Sequence, residues 1–199
     1  NSVRIQNLPK RDAQILETKF HPPKKGFSTA EGQARMLHDL ASIELQAMEL
    51  GLRTLSEFSN APEQFKIELL RITLSEADHL EMCLQEIDRL GFQWGNWPIH
   101  LNLWKATSTE DNLLDRILIV HRYLEGSGLD AGDTLFRRLE LIDTPSVKKA
   151  VHQITADEVG HVEFGSRWYR GICKIQGLNP GKDYFTRMDR LLKILPRRF

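Results

Sequence analysis

The sequence predicts an all-α fold: a four-helix bundle made of two helical hairpins joined by a long crossover, with an N-terminal arm and a short C-terminal helix. Three observations predict it. Apolar residues recur at spacings of three and four along four long segments. Turn and cap residues divide those segments into two pairs. Each pair carries the same polar interruption of its stripes, one Glu followed by Glu-x-x-His. The 199 residues suffice for one domain with a sizeable core. Hydrophobic residues at 41% against charged residues at 27% match a globular chain and are too polar for a membrane protein.

Residues 1–28 contain His-Pro-Pro and Lys-Lys-Gly without a sustained period and read as an arm laid over a bundle at 29–175, which a C-terminal extension at 176–199 follows. Ser28 or Thr29 is a candidate N-cap for the first helix, with Glu31 in its first turn. That helix is striped by Leu37, Leu40, Glu44, Ala47, Gly51 and Leu55, and it stops at Ser59-Asn60-Ala61-Pro62. Pro62 suits a first helical position. The second helix runs to Leu90-Gly91, and its stripe passes through Leu69, Ile72, Glu76, His79, Cys83 and Ile87. Residues 91–109, with three Trp, two Gly and one Pro, read as a long ordered connection. A third helix is expected from about Thr109 to Asp111, with Leu114, Ile117, Leu118, His121 and Glu125 on one face, weakened by Gly126-Ser127-Gly128 and resuming over 130–142. Thr144-Pro145 opens a fourth, striped by Val151, Ile154, Glu158, His161, Gly165 and Trp168. A short helix is expected at 183–194.

Counting from a turn at about residue 60, Glu44 and Glu76 each stand 16 residues away, so an antiparallel pair brings them to one height. About a turn near 143 the counts are 18 for Glu125 and 15 for Glu158, a mismatch of about one helical turn that the Gly-Ser-Gly interruption is expected to absorb. The 19 residues of the connection reach up to ~60 Å, enough to run the length of a bundle helix.

One Glu on an apolar stripe is usually the partner of a nearby Lys or Arg, and one core His usually bonds a backbone carbonyl. Six such residues at matching heights are another matter. Four carboxylates buried without cations cost several kcal/mol each, and the stripes carry no Lys or Arg. Two divalent metal ions neutralise four carboxylates, and Glu and His three apart share a helix face from which both can ligate. The expected ligands are Glu44, Glu76, His79, Glu125, Glu158 and His161. Oxygen and nitrogen donors without thiolate favour two Fe ions, with Mn as the other candidate.

The set Glu44, Glu76-x-x-His79, Glu125, Glu158-x-x-His161 resembles the di-iron carboxylate proteins of the ferritin-like superfamily, over about residues 29–175. The stretches LHDLASIELQAMEL, SEADH, YLEGSGLD and DEVGHVEFGSRW resemble a bacterial ferritin-like family of unknown function, a relative of the tRNA-hydroxylating di-iron monooxygenases. The resemblance implies a four-helix bundle with an inter-pair crossover, a bound metal pair and oxygen chemistry. The chain departs from the family pattern at His121, where an apolar residue or Pro is expected, and at Ser127.

The functional expectation is an oxidase or monooxygenase in which reduced iron takes O2, oxidises an unidentified substrate and draws on an external electron donor, since the chain has no Cys-x-x-Cys module. Its rivals are di-manganese or peroxide chemistry and non-catalytic metal storage or sensing. Asp157 is a candidate acceptor for the outer ring N–H of a ligand His on a neighbouring helix, His121, one turn before Glu125, a group behind that ligand, an extra ligand or a core histidine, and Cys83 a small core residue. His21, His38, His100 and His152 are assigned no role. Lys plus Arg equals Asp plus Glu at 27 each, so no global field recruits nucleic acid or an anionic membrane. A tRNA partner has only the basic ends behind it, among them Lys24, Lys25, Arg197 and Arg198. Two lone cysteines and the lack of an apolar leader suit a cytoplasmic monomer or homodimer, although Asn1 in place of methionine suggests a trimmed start.

Overall fold

Thr29 closes the start of the first helix by accepting the amide of Gly32 through its side chain. From there the computed structural model, which describes residues 5 and 8–193, is helical throughout its ordered elements. Helix α1 spans Ala30–Glu57 and α2 Glu63–Arg89. A one-turn helix, α3, covers Asn102–Lys105 within the crossover. Helix α4 is Leu113–Leu118; it passes through a π-helical turn, Ile119–Leu124, into α5 at Glu125–Leu139 without leaving helical dihedrals. Helix α6 is Pro145–Ile175 and α7 Pro180–Leu191. No strand occurs among the described residues, only an isolated parallel bridge between Ile15 of the arm and Ile99 of the crossover. The fold is thus a helical bundle: α1 packs on α2, α5 on α6, and α2 on α6. No described helix is long and apolar enough to cross a membrane.

Several local expectations need correction. Pro62 is the cap residue before α2, in extended conformation, and the first helical position is Glu63. The third long helix starts at Leu113 because Asn112 and Asp115 form a reciprocal capping box there; Asp111 turns instead to Arg116. The connection is not wholly irregular, since α3 interrupts it. Gly126-Ser127-Gly128 remains helical, and the departure from α geometry lies just before it, in the π turn. The height mismatch also vanishes once the true helix ends are used. Glu44 lies thirteen residues before the end of α1 and Glu76 thirteen after the start of α2. Glu125 lies fourteen before the end of α5 and Glu158 thirteen after the start of α6. The C-terminal helix begins at Pro180, earlier than expected; Ile194, Arg197 and Arg198 lie outside the described residues.

The apolar interior falls into two clusters. One gathers Leu50, Phe65, Leu69, Ile117, Phe164 and Tyr169; the other gathers Leu37, Ala41, Cys83, Ile87, Val151 and Ile154. On each long helix the predicted Glu and His positions fall between the two, so a polar layer divides the core. The first end is closed by buried ion pairs. Arg116, fully buried, donates to Glu57 at 2.7 Å, to Asp111 at 3.3 Å and to Thr54 at 3.2 Å, while Arg53 donates to the other Glu57 oxygen at 3.0 Å. Helix α7 docks beside them, with Arg187 bridging Asp115 at 2.7 Å and Asp183 at 2.6 Å.

Helix α6 meets the π turn at Gly165, where an added Cβ would lie 2.6 Å from both the Cβ and the carbonyl oxygen of His121. Six residues on, at Gly171, an added Cβ meets nothing within 4 Å. Gly165→Ala should therefore lower stability by about 1–3 kcal/mol through overpacking, whereas Gly171→Ala should raise it by up to about 1 kcal/mol through helix propensity. Urea unfolding of the two variants checks the pair; equal effects would mean that α6 and the π turn do not touch as described.

Candidate metal centre

The six residues expected from the stripes arrive at one level from four helices: Glu44 from α1, Glu76 and His79 from α2, Glu125 from the start of α5, Glu158 and His161 from α6. Their ligand-type atoms form two overlapping groups, each within 4.8 Å: Glu44, Glu76, His79 and Glu158 in one, Glu76, Glu125, Glu158 and His161 in the other. Glu76 and Glu158 belong to both. The amphipathic period explains why these positions face inward, and the three-residue step in each Glu-x-x-His puts both side chains on one face.

Each imidazole turns Nδ1 toward carboxylates. His79 Nδ1 stands 3.3 Å from Glu76 and 3.5 Å from Glu44; His161 Nδ1 stands 3.0 Å from Glu76 and 3.4 Å from Glu158. The two rings are 5.9 Å apart between centroids. None of these Nδ1 contacts has hydrogen-bond geometry: Nδ1 of both rings, Glu76 Oε2 and Glu125 Oε2 are buried without a hydrogen-bond partner. On its outer side, His79 Nε2 meets Asp157 Oδ2 at 3.2 Å, and Gln153 donates to the same carboxylate at 2.9 Å. Asp157 thus fixes the outward nitrogen of His79 from a neighbouring helix and leaves Nδ1 for the cluster. Among the described residues no Lys or Arg forms an ion pair with any of the six.

Burial pushes the Glu44 carboxyl well above its ordinary range and raises that of Glu158. Burial also acts on Glu76, but His161 and His79 overcome it and hold that group at about 2. Desolvation opposes charge on both imidazoles, yet Glu44 and Glu76 carry His79 to about 10, and Glu158 and Glu76 carry His161 to about 11. Without metal, the layer balances its charge by protonating itself. Orphaned buried donors and acceptors in an oxygen- and nitrogen-rich set fit a metal ion, which replaces those protons.

Of the alternatives open for His121, the structure favours a group behind a candidate ligand, whereas the use of His38 went unread. His121, within the π turn, places Nδ1 2.6 Å from Glu125 Oε1 and lies outside both groups. Its four-residue spacing from Glu125 was the available signal. His38 is fully buried, stacks on Trp94 at 4.7 Å and accepts the Gly95 amide at 3.0 Å, tying the crossover to α1; its place off the stripe gave no hint. His21, His100 and His152 stand outside both groups, and Cys83 is a free, buried core thiol.

Fold and site together define a helical-bundle protein with a buried glutamate–histidine cluster able to hold metal. Within that class, the chain belongs to the family described as protein of unknown function (DUF455), whose model matches residues 2–198. An uncharacterized protein of Haemophilus influenzae is 34% identical over 168 residues, 80% of this chain and 58% of the relative. The chain therefore spans less than two thirds of that relative's length. No solved structure matches.

The electrostatics carry a pH consequence. A folded-state imidazole pKa raised above the unfolded value gives stability that is fully present below about pH 6.5 and lost as pH rises through the folded pKa. In chelator-treated protein, nitrogen NMR should find both His79 and His161 doubly protonated at pH 8, and their stabilising contribution should decline from about pH 6.5 upward until it is gone above about 10 to 11. Neutral imidazoles at pH 8 would show that the carboxylates do not compensate one another this way.

Proposed function

We propose that the chain is a dinuclear metal protein whose ions are held by Glu44 and His79 on one side, Glu125 and His161 on the other, with Glu76 and Glu158 shared. The observation that carries this reading is the overlap of two four-residue groups through those two glutamates. Four carboxylates balance two divalent ions, and donors of this kind without thiolate suit iron, with manganese as the alternative. The ferritin-like di-iron proteins are the class this set resembles, and the reading extends to an oxidase or monooxygenase. Two such ions, when bound, supply reduction of dioxygen with electrons from an external donor.

The chain's own residues do the rest. Glu76 and Glu158 belong to both groups and would be the ligands common to the two ions. Asp157 orients His79 and raises its basicity, the usual task of a carboxylate behind a ligand imidazole. His121 holds one oxygen of Glu125 and leaves the other for the cluster. The apolar clusters above and below bury the layer on two sides.

Metal analysis of protein purified from its native host without added metal is the direct test. Two Fe per chain with an oxo-bridge absorption in air supports the reading; two Mn keeps the dinuclear site and moves the chemistry to peroxide; no metal ends it. Glu158→Ala should lose at least one ion, and retention of both would refute the ligand assignment. Asp157→Asn should weaken metal affinity by about 10- to 100-fold. Binding should release at least two protons, one from each imidazolium, so affinity should climb with pH; calorimetry in buffers of different ionisation enthalpy reads that count.

A further inference from the structure

Helices α1 and α5 flank a cavity of about 600 Å³ that is lined by all four glutamates of the layer, Glu44, Glu76, Glu125 and Glu158, and that continues past them to Leu50, Leu103 and Val120. Its α1 wall is apolar, with Met36, Leu40 and Ile43; its α5 wall is small, with Gly128 and Ala131 before Leu135. Arg138, Lys24 and Lys25 stand at the far end. From Arg138 back to Glu125 is thirteen residues of α5, about 20 Å at ~1.5 Å each. A space this long and this small is a slot. A helix of ~10 Å diameter and that length would need roughly 1,600 Å³, so the slot excludes a peptide helix but admits a single unbranched chain.

The charges at the far end are not equivalent. Lys24 is engaged by Asp39 at 2.6 Å and Lys25 by Glu31, whereas Arg138 lies over the Phe27 ring at 4.4 Å and forms no ion pair among the described residues. Arg138 is thus the cation left for a ligand's anion. An extended hydrocarbon advances ~1.25 Å per carbon, from ~1.5 Å bonds at ~111°, so about 20 Å corresponds to roughly fourteen to sixteen carbons.

We propose that this slot binds an unbranched long-chain carboxylate, its head paired with Arg138 and its chain running between α1 and α5 to end over the glutamate layer. The inference rests on the dinuclear reading for what lies at the chain's far end and names the substrate class of that centre. The binding itself requires no metal.

The test is calorimetric titration of the full chain, metal-loaded and chelator-treated, with octanoate, laurate and myristate below their micellar concentrations, and with methyl myristate. One chain should bind per protein, with affinity rising about fourfold per added methylene. Methyl myristate should bind at least tenfold more weakly than myristate, and Arg138→Glu should weaken myristate by a similar factor. Gly128→Phe should abolish binding while circular dichroism stays native; Ala131→Phe, on the same wall, is the second block if the first fails to fold. Unsaturable binding, no dependence on chain length, or undiminished myristate binding by a filled slot would overturn the proposal. Metal loading without saturable myristate binding sinks the slot alone. Chain-length-dependent binding by a protein that takes up no metal sinks the dinuclear reading and leaves the slot.

Discussion

The middle of the bundle is governed by the cost of taking four carboxylates out of water. Isolated, each would protonate or unfold the layer around it. The groups at hand to oppose that cost are His79 and His161, and each is shared between two glutamates at 3.0–3.5 Å. Two of these contacts lie within one helix, His79 with Glu76 and His161 with Glu158, and the other two reach across to a neighbouring helix. They join α1, α2 and α6 at one level, to which α5 adds Glu125, and the thirteen- and fourteen-residue arms of the hairpins secure this. They also forbid apolar packing across the layer, which is why the core is divided into two clusters. The geometry of the whole bundle answers to this one electrostatic requirement.

A second set of buried charges shows what the first would look like if it were purely structural. Arg116 places three nitrogens on Glu57, Asp111 and Thr54, and Glu57 offers both oxygens, one to Arg116 and one to Arg53. No side-chain atom of Arg53, Glu57 or Arg116 is left buried without a partner. The glutamate layer is buried to a similar degree, yet it leaves two carboxylate oxygens and two imidazole nitrogens unpartnered. Native interiors seldom tolerate such orphans without a reason. Atoms of Arg35, His38 and Glu86 are orphaned elsewhere, but the glutamate layer gathers four such atoms within a set able to hold a metal.

The parts legible in the sequence are those that periodicity controls. Four long helices, the crossover and the inward placement of the six Glu and His residues follow from spacings of three and four, Thr29 caps the first by its side chain and Pro145 opens the last, while Thr144 donates to Gln33 instead of capping. Other features left no trace. The π turn changes backbone hydrogen bonding, not composition, so His121 and Glu125 looked like members of a regular helix. The height mismatch arose from centring the second turn at 143, when the helices end at Leu139 and resume at Pro145. Nothing in the spacing marked Arg116, because its partner Glu57 comes from a distant stretch of chain. His38 was illegible for the same reason: its partners Trp94 and Gly95 lie in the crossover.

Gly126-Ser127-Gly128 was the strongest local signal against a helix, and the chain is helical there nonetheless. Each interior Gly costs a helix about 1 kcal/mol against Ala, so a helix that keeps them has usually put the missing side chain to use. At Gly132 the use is packing, since an added Cβ would sit 2.6 Å from Thr155 Oγ1. At Gly128 an added Cβ would meet nothing within 4 Å, so no contact inside the protein requires glycine. What Gly128 borders instead is the cavity above the glutamate layer. A residue kept small where no neighbour demands it, on the wall of a space that leads to unpartnered carboxylates, leaves room there at some cost in helix stability.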